Sequence, residues 1–342
     1  MTSRTNIMIA GIGGASLGTE LLKALELAGR YNIFGCDISP LAYGLYDPLF
    51  TKTYRIPRED YANEVISVCK DSESAYVIPG GEQPMVLLGA AEEMLRRAGI
   101  SLVCNNSRVI RTCSDKAETF RRLAELNVPI PRTRSITDAN AILDVGLPCI
   151  VKPATGSGGS SRVFFATDAD EARVYADYIS RTGEEPIIQE YVAADEGEFT
   201  VGVLSLPDGS VAGSVALQRA LDSKLSVGMR GRGGVISSGY SQGYIADFPN
   251  IRKQCAAIAS TLGSTGPLNI QGRLRDGALV PFEINPRFSA STYLRAMAGL
   301  NEVDIYLQFL MTRERPPISQ LREGWYLRSL IERFVPSERV DR

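Results

Sequence analysis

In the stretch "FEINPRFSAST", Phe282 to Thr292, Glu283 and Asn285 alternate with Phe282 and Ile284. On a β-strand such alternation sends Glu283 and Asn285 to one face. The surrounding "PLNIQGRLRDGALVPFEINPRF" reads as a hairpin turning at "RDG", which sets Gln271 on the partner strand opposite them. Three oxygen donors carrying one formal charge cannot tightly cage a bare Mg²⁺. They suit Mg²⁺ (or Mn²⁺) that arrives with phosphate oxygens as its remaining ligands. Arg287 continues this face past Pro286 and would place a fixed cation where phosphoryl charge builds up. The competing reading is the polar outer face of an ordinary sheet.

A second stretch has the complementary character. "VKPATGSGGSSRV" follows the apolar run "PCIV" and sets Lys152 ahead of a string of small residues, Gly156, Ser157, Gly158, Gly159, Ser160 and Ser161. Glycine and serine let the backbone approach a ligand closely, and successive amide N–H groups can surround an anion. No GK[ST] closes the segment, so it is not a P-loop. It is either a phosphate cradle or a flexible hairpin tip. The chain contains no histidine. That excludes Ser–His and Cys–His nucleophilic machinery and histidine zinc sites. It leaves carboxylates, lysine, arginine and backbone dipoles, a set suited to phosphoryl transfer.

These residues need a scaffold, and the element pattern supplies one. "NIMIAGIGG" is a short strand running into glycines, and "ASLGTELLKALELAG" carries Leu17, Leu21, Leu25 and Ala28 at helical spacing. "YNIFGCDIS", "AYVIPG" and "ISLVCN" read as strands, and "YANEVISVCKDS" and "PMVLLGAAEEMLRRAG" as helices, so residues 1–112 resemble a doubly wound parallel α/β sheet. Gly11, Gly13, Gly14 and Gly18 miss the dinucleotide fingerprint, because Ser16 stands where its last glycine belongs and Asp37 lies far downstream. A tight strand–helix turn is the preferred reading there, and an NAD site the alternative. Ser114 is read as the N-cap of the helix "DKAETFRRLAEL", with Glu118 completing a capping box. "PCIVKP" and "RVFFAT" form a strand–loop–strand hairpin, followed by the helix "DADEARVYADYIS" and the strand "PIIQEYV". "EFTVGVLSLPDGSVAGSVALQRA" reads as paired strands turning at "PDG". "SKLSVGMRGRGGVISSGYSQG" reads as a mobile loop with basic Lys224, Arg230 and Arg232 and, just upstream, Arg219; the three arginines either grip a substrate carboxylate or face solvent. Ser289 and Ser291, just past the metal motif, are candidates for the acceptor wall.

From about Ser114 to Arg287 the chain resembles an ATP-grasp enzyme of the branch that includes the carbamoyl-phosphate synthase large-subunit halves and stand-alone amino-acid ligases. "SDKAETF", "IVKPATGSGGSSRV", "IIQEYVAADEGEFTVG" and "NIQGRLRDGALVPFEINPR" occur in that family's order. The resemblance implies an α/β (α+β) fold: an ATP-grasp lid subdomain (113–190) and a metal-bearing subdomain (191–342), preceded by a Rossmann-like domain (1–112). It implies that Lys116 and Lys152 hold ATP phosphates and that Gly156 to Ser161 form the lid over them. It gives Glu190, Tyr191 and Val192 to the linker that reads adenine, and Glu198 to the ribose hydroxyls with Glu196 as competitor. Gln271, Glu283 and Asn285 match the metal ligands, glutamine at the first position being the carbamoyl-phosphate synthase pattern. Arg287 and Lys152 match the groups beside the transferred phosphoryl.

The function implied is ATP-dependent carboxylate–amine ligation through an acyl phosphate, releasing ADP and phosphate. Alternatives are a phosphotransferase acting on a small carboxylate or carbamate, an NAD-dependent oxidoreductase, and a non-catalytic nucleotide-binding regulator. The 342 residues are 44% hydrophobic and 22% charged with net charge −2, which argues against a nucleic-acid partner. No apolar run reaches the roughly 18 residues of a membrane span. Six cysteines scattered singly suggest reduced core thiols and a cytoplasmic protein. The expected partners are small-molecule carboxylate and amine substrates, with a homodimer as the candidate assembly.

Overall fold

The computed structural model describes residues 4–14, 17–125, 127–137, 140–155, 162–231 and 234–340. The chain begins with alternating strands and helices: β1 (Thr5–Ala10), α1 (Leu17–Ala28), β2 (Tyr31–Asp37), β3 (Lys52–Arg55), α2 (Tyr61–Asp71), β4 (Tyr76–Pro79), α3 (Glu82–Ala90), α4 (Glu92–Arg97) and β5 (Ser101–Leu102). The five strands are parallel in the order β3-β2-β1-β4-β5. Both faces are covered, as the unbroken apolar run of β1 requires. Ile7 and Ile9 pack with Leu21 and Leu25 of α1, while Met8 and Ala10 pack with Val65 and Ile66 of α2 and Leu88 of α3. The run read as one helix from Pro84 is broken at Ala91 into α3 and α4.

The turn after β1 explains its glycines. Gly11 has φ +98°, and a Cβ on Gly80 or Gly18 would lie 1.8 or 2.3 Å from the Gly11 carbonyl oxygen. Three segments converge on one carbonyl with no room for side chains. Asp37 closes the turn by accepting from Ile12 N at 2.8 Å and Ser39 N at 2.9 Å. Both its oxygens are thereby engaged inside the turn, the arrangement expected of a structural turn; Ser16 lies outside the described residues.

The second region comprises α5 (Ser107–Ser114), α6 (Lys116–Glu125), β6 (Thr133–Ser135), α7 (Ala141–Val145), β7 (Cys149–Pro153), β8 (Phe164–Ala166), α8 (Ala169–Arg181) and β9 (Pro186–Glu190). Its antiparallel sheet has the order β6-β9-β7-β8. Cys149 and Val151 face α7 and α8, joining Val145, Ala176 and Ile179 in one core, so Ile150 and Lys152 turn to the opposite face. Asp115, not Ser114, caps α6: its carboxylate accepts from Glu118 N at 3.0 Å. The Ser114 hydroxyl instead donates to Ile110 O one turn back in α5, and Glu118 pairs with Arg121.

The third region holds β10 (Glu198–Ser205), β11 (Val211–Arg219), β12 (Val227–Gly231), β13 (Gly234–Ser237), β14 (Gly243–Ala246), α9 (Pro249–Leu262), β15 (Pro267–Arg275), β16 (Ala278–Asn285), α10 (Thr292–Met297), α11 (Glu302–Thr312) and β17 (Gly324–Tyr326). A six-stranded antiparallel sheet runs β16-β15-β10-β11-β14-β17, and β12 and β13 form a separate ribbon. This ribbon occupies the segment expected to be a loop. One face of the large sheet packs on α9, α5 and α6, and the other on α1, α10 and α11. The hairpin turn after β15 places both Asp276 and Gly277 at positive φ, as a two-residue turn of this kind demands. All six cysteines are buried and free. No helix among the described residues is long and apolar enough to cross a membrane.

Candidate functional site

A cavity opens between the four-stranded sheet and the six-stranded sheet. It is lined by Lys116 from α6, Lys152 from β7, the residues Gln189 to Val192 at the end of β9, Val235 to Ser237 of the ribbon, Gln271 and Arg273 of β15, and Phe282 and Glu283 of β16. Seven residues singled out in the sequence therefore meet at one place: Lys116, Lys152, Glu190, Tyr191, Val192, Gln271 and Glu283. Asn285 lies in an adjoining recess shared with Lys116 and Glu283.

Lys152 is buried. Its ammonium donates to Gln189 Oε1 at 2.8 Å and to Phe282 O at 3.2 Å, and it lies 5.6 Å from the centre of the Phe120 ring. The Phe282 carbonyl is part of an irregularity in the ladder. Gln271 pairs with Glu283 but Gly272 pairs with Pro281, which leaves Phe282 as the extra residue of a bulge on β16. The bulge corrects the strict alternation read from the sequence: Phe282 and Glu283 both line the cavity. Burial and the nearby Lys116 charge lower the Lys152 pKa from 10.5 to about 7, and Glu283 pulls weakly the other way. Lys116 is set at the mouth of the hairpin loop by its own N–H, which donates to Ala154 O at 3.2 Å. Two cations facing one carboxylate across a cavity suit an anionic ligand. The loop residues Gly156 to Ser161 lie outside the described residues.

Beside these lysines are the oxygen donors. Gln271 stands opposite Glu283, and Asn269 opposite Asn285. No group of three or more His, Cys, Asp or Glu side chains converges among the described residues, so Glu283 is the carboxylate of an amide-rich donor set. Arg287 donates to Phe288 O at 3.0 Å and approaches Asn285 Oδ1 at 3.5 Å. Its Nε is buried without a hydrogen-bond partner among the described residues, and a buried donor left unpaired is costly until an acceptor arrives. The donor set and this orphan N–H fit a divalent cation accompanied by phosphate oxygens, which Gln271, Glu283 and Asn285 would hold.

Glu190 turns its carboxylate away from the cavity. It accepts from Arg132 N at 3.1 Å, Arg132 Nη2 at 3.3 Å and Arg275 Nη2 at 2.9 Å. Burial pushes its pKa up, but these hydrogen bonds and charges hold it below the usual carboxylate range. Tyr191 accepts from Val235 N at 2.9 Å and meets Phe165 edge-on at 4.8 Å.

Several expected contacts fall elsewhere. Glu198 is fully buried, ion-paired with Arg273 at 2.8 Å and Arg219 at 3.4 Å, and does not line the cavity. Its competitor Glu196 accepts from Asp276 N and Gly277 N at 3.0 Å each, which fastens the tip of the β15–β16 hairpin. Neither carboxylate is placed for ribose hydroxyls in this arrangement. Arg219 is likewise buried rather than free to grip a substrate. Arg230 is exposed and donates to Leu221 O, and Arg232 lies outside the described residues. Ser289 is buried, its hydroxyl 2.8 Å from that of Ser291, because both serve a packed network: Ser291 accepts from Arg295 Nη1 at 2.6 Å, and Arg295 pairs with Glu302 at 2.8 Å. Gly202 makes room for this pair, since a Cβ there would fall 2.4 Å from Arg295 Nε. Gly202→Ala is therefore expected to destabilise the fold by about 1–3 kcal/mol through overpacking; urea unfolding checks it, and an unchanged midpoint would contradict the packing.

Sequence reasoning missed Arg273, Gln189 and the ribbon. Arg273 was findable, since it stands two residues from Gln271 and so shares its strand face. Gln189 and the ribbon left no local signal, because their roles come from partners on other strands.

Comparison with known proteins fits this geometry. A family model described as an ATP-grasp domain matches residues 113–291. The carbamoyl phosphate synthase large chain of Halobacterium salinarum is 27% identical over 243 residues, covering 67% of this chain and 22% of that one. This chain spans less than half the length of the sequence relatives it matches. Among solved structures, the biotin carboxylase domain of Hydrogenobacter thermophilus 2-oxoglutarate carboxylase, in complex with MgADP, ADP and bicarbonate, aligns with TM-score 0.67 and 14% identity over 93% of this chain and 72% of that one. The L-amino acid ligase of Bacillus licheniformis aligns with TM-score 0.64 and 16% identity over 94% and 76%. These structures share the fold.

Proposed function

The chain belongs to the ATP-grasp family, and from that premise we propose that it is an ATP-dependent, Mg²⁺-requiring ligase that joins a small carboxylate to an amine. The observation that carries the reading is one cavity holding two lysines, Lys116 and Lys152, against the donors Gln271 and Glu283. A substrate carboxylate oxygen attacks the γ-phosphorus of ATP, and ADP leaves. The amine then attacks the acyl carbon, phosphate departs with the attacking oxygen, and the amine loses a proton. Lys116 and Lys152 would hold phosphate oxygens, and Arg287 would meet the charge that grows during transfer. Bound Mg²⁺ would neutralise phosphate oxygens. A second cavity of about 460 Å³ supports a two-substrate reaction. Glu20, Lys23, Asp47, Tyr240 and Arg328 help to line it, and Arg328 also donates to Ala290 O, three residues past Arg287.

The sequence likeness to carbamoyl phosphate synthase favours a second reading, transfer of phosphate to a small carboxylate or carbamate without amide formation. One experiment separates them: ADP-release screening over amino acids and small carboxylic acids, then a heavy-oxygen-labelled carboxylate. The ligase reading expects one labelled atom in inorganic phosphate and ADP as co-product. AMP with pyrophosphate, or unlabelled phosphate beside newly formed amide, would overturn it. A phosphorylated product that persists with amine present would establish the second reading.

A further inference from the structure

Glu198, Arg273 and Arg219 come from three neighbouring strands and form a chain of charge behind the cavity wall. Glu198 is the register partner of Arg273 across β10 and β15, and Arg219 closes β11 on the other side. Their relative exposures are 0%, 5% and 5%. Arg273 donates through Nε to Glu198 Oε2 at 2.8 Å, through Nη1 to Val192 O at 2.7 Å and through Nη2 to Val235 O at 2.6 Å. Arg219 donates to Ser238 O and Tyr240 O, both at 2.8 Å, and to Ser226 O at 3.2 Å.

The five carbonyls share a location. Val192 belongs to the segment that follows β9 at the cavity, Val235 to the ribbon strand facing it, and Ser226, Ser238 and Tyr240 lie at the open base of the ribbon, where β12 begins and β13 ends. That ribbon pairs with neither larger sheet among the described residues, and an isolated two-stranded hairpin is marginal in water. Among its other fastenings are the Tyr191 hydroxyl, which accepts from Val235 N, Arg230, which donates to Leu221 O, and Gly234, packed so closely on Phe165 of β8 that a Cβ would lie 2.3 Å from the ring. A buried ion chain is weak evidence for stability alone, since apolar residues of similar volume serve as well or better. Apolar side chains cannot hold five carbonyls.

We propose that Glu198, Arg219 and Arg273 are positioning residues that hold the β12–β13 ribbon and the Val192 segment as a preformed wall for the base end of the nucleotide, and so set affinity for the base independently of the phosphates. The nucleotide part rests on the ligase reading above; the anchoring part does not. The guanidinium fork is what reaches several acceptors at once, so Arg219→Lys and Arg273→Lys keep the charge against Glu198 and lose the reach.

The test measures trypsin cleavage after the exposed Arg230, and inhibition or binding constants for adenosine and for inorganic tripolyphosphate, in full-length wild type and both variants. Cleavage after Arg230 should accelerate at least tenfold, and adenosine should weaken about tenfold, with tripolyphosphate unchanged. Unchanged cleavage and unchanged adenosine binding would overturn the proposal, as would equal weakening of both probes, the mark of a general structural defect. If Arg273→Lys fails to fold, Arg219→Lys, whose side chain does not line the cavity, decides alone. If wild type binds neither probe, the nucleotide reading falls by itself, and cleavage after Arg230 still decides the anchor.

Discussion

Arg287→Met is expected to lower kcat about 100- to 1,000-fold while leaving the Kd for ATP within about threefold, because the lost interaction is strongest when transfer charge is greatest. Arg287 lies two residues beyond Asn285, past the end of the strand carrying the proposed metal donors, and its Nε is buried without an acceptor among the described residues. In the proposed reaction Lys116 and Lys152 would bind the ground-state phosphate, and the guanidinium would meet the charge that develops on the transferring group. Steady-state kinetics paired with calorimetric ATP binding measures the split. Equal loss of kcat and affinity would make Arg287 an ordinary binding residue, and near-normal kcat would remove it from the reaction.

Lys152→Met should weaken ATP binding about 10- to 100-fold, the equivalent of a charge-assisted phosphate contact worth roughly 1.5–3 kcal/mol. It should also change how stability depends on pH, measured without nucleotide and in chelator. Burial lowers the Lys152 pKa from 10.5 to about 7. Below pH 7 the folded and unfolded chains both hold the proton, and the penalty of burying the charge is at its full value. Between about 7 and 10.5 the unfolded chain keeps its proton while the folded chain loses it, so rising pH favours the folded state by up to about 1.4 kcal/mol per unit from this group. Methionine removes the titration. The variant should therefore be more stable than wild type at pH 6, and its advantage should shrink steadily above pH 7. Parallel stability profiles for the two proteins would show that Lys152 is not held in the buried site described, and unchanged ATP affinity would remove it from the phosphate site.

What the sequence determined by itself was whatever rests on near neighbours. The strand–helix alternation, the hairpin turn at Asp276 and Gly277, and the shared face of Glu283 and Asn285 follow from backbone periodicity, which a few consecutive residues express. The absence of histidine excluded whole mechanisms before any fold was known. Tertiary structure decided what depends on partners far away in the chain. Glu198 looks like a free acid beside a nucleotide linker, yet it is enclosed by Arg273, 75 residues on, and by Arg219. Ser289 looks available beside Arg287, yet Ser291 and Arg295 draw it into a buried network. The glycine-rich stretch around Arg230 has the composition of a loop but pairs β12 with β13 as a ribbon, and arginines on other strands bond its Val235 carbonyl and the carbonyls at its base. Lys152 acquires its lowered pKa from burial and from Lys116, and is oriented by a carbonyl 130 residues away that a bulge leaves within reach. Local pattern says which way a side chain points on its own strand. Only the packed sheets say whether that direction leads to a cavity or to a buried partner, because burial and pairing are properties of surfaces brought together, and no stretch of sequence contains both.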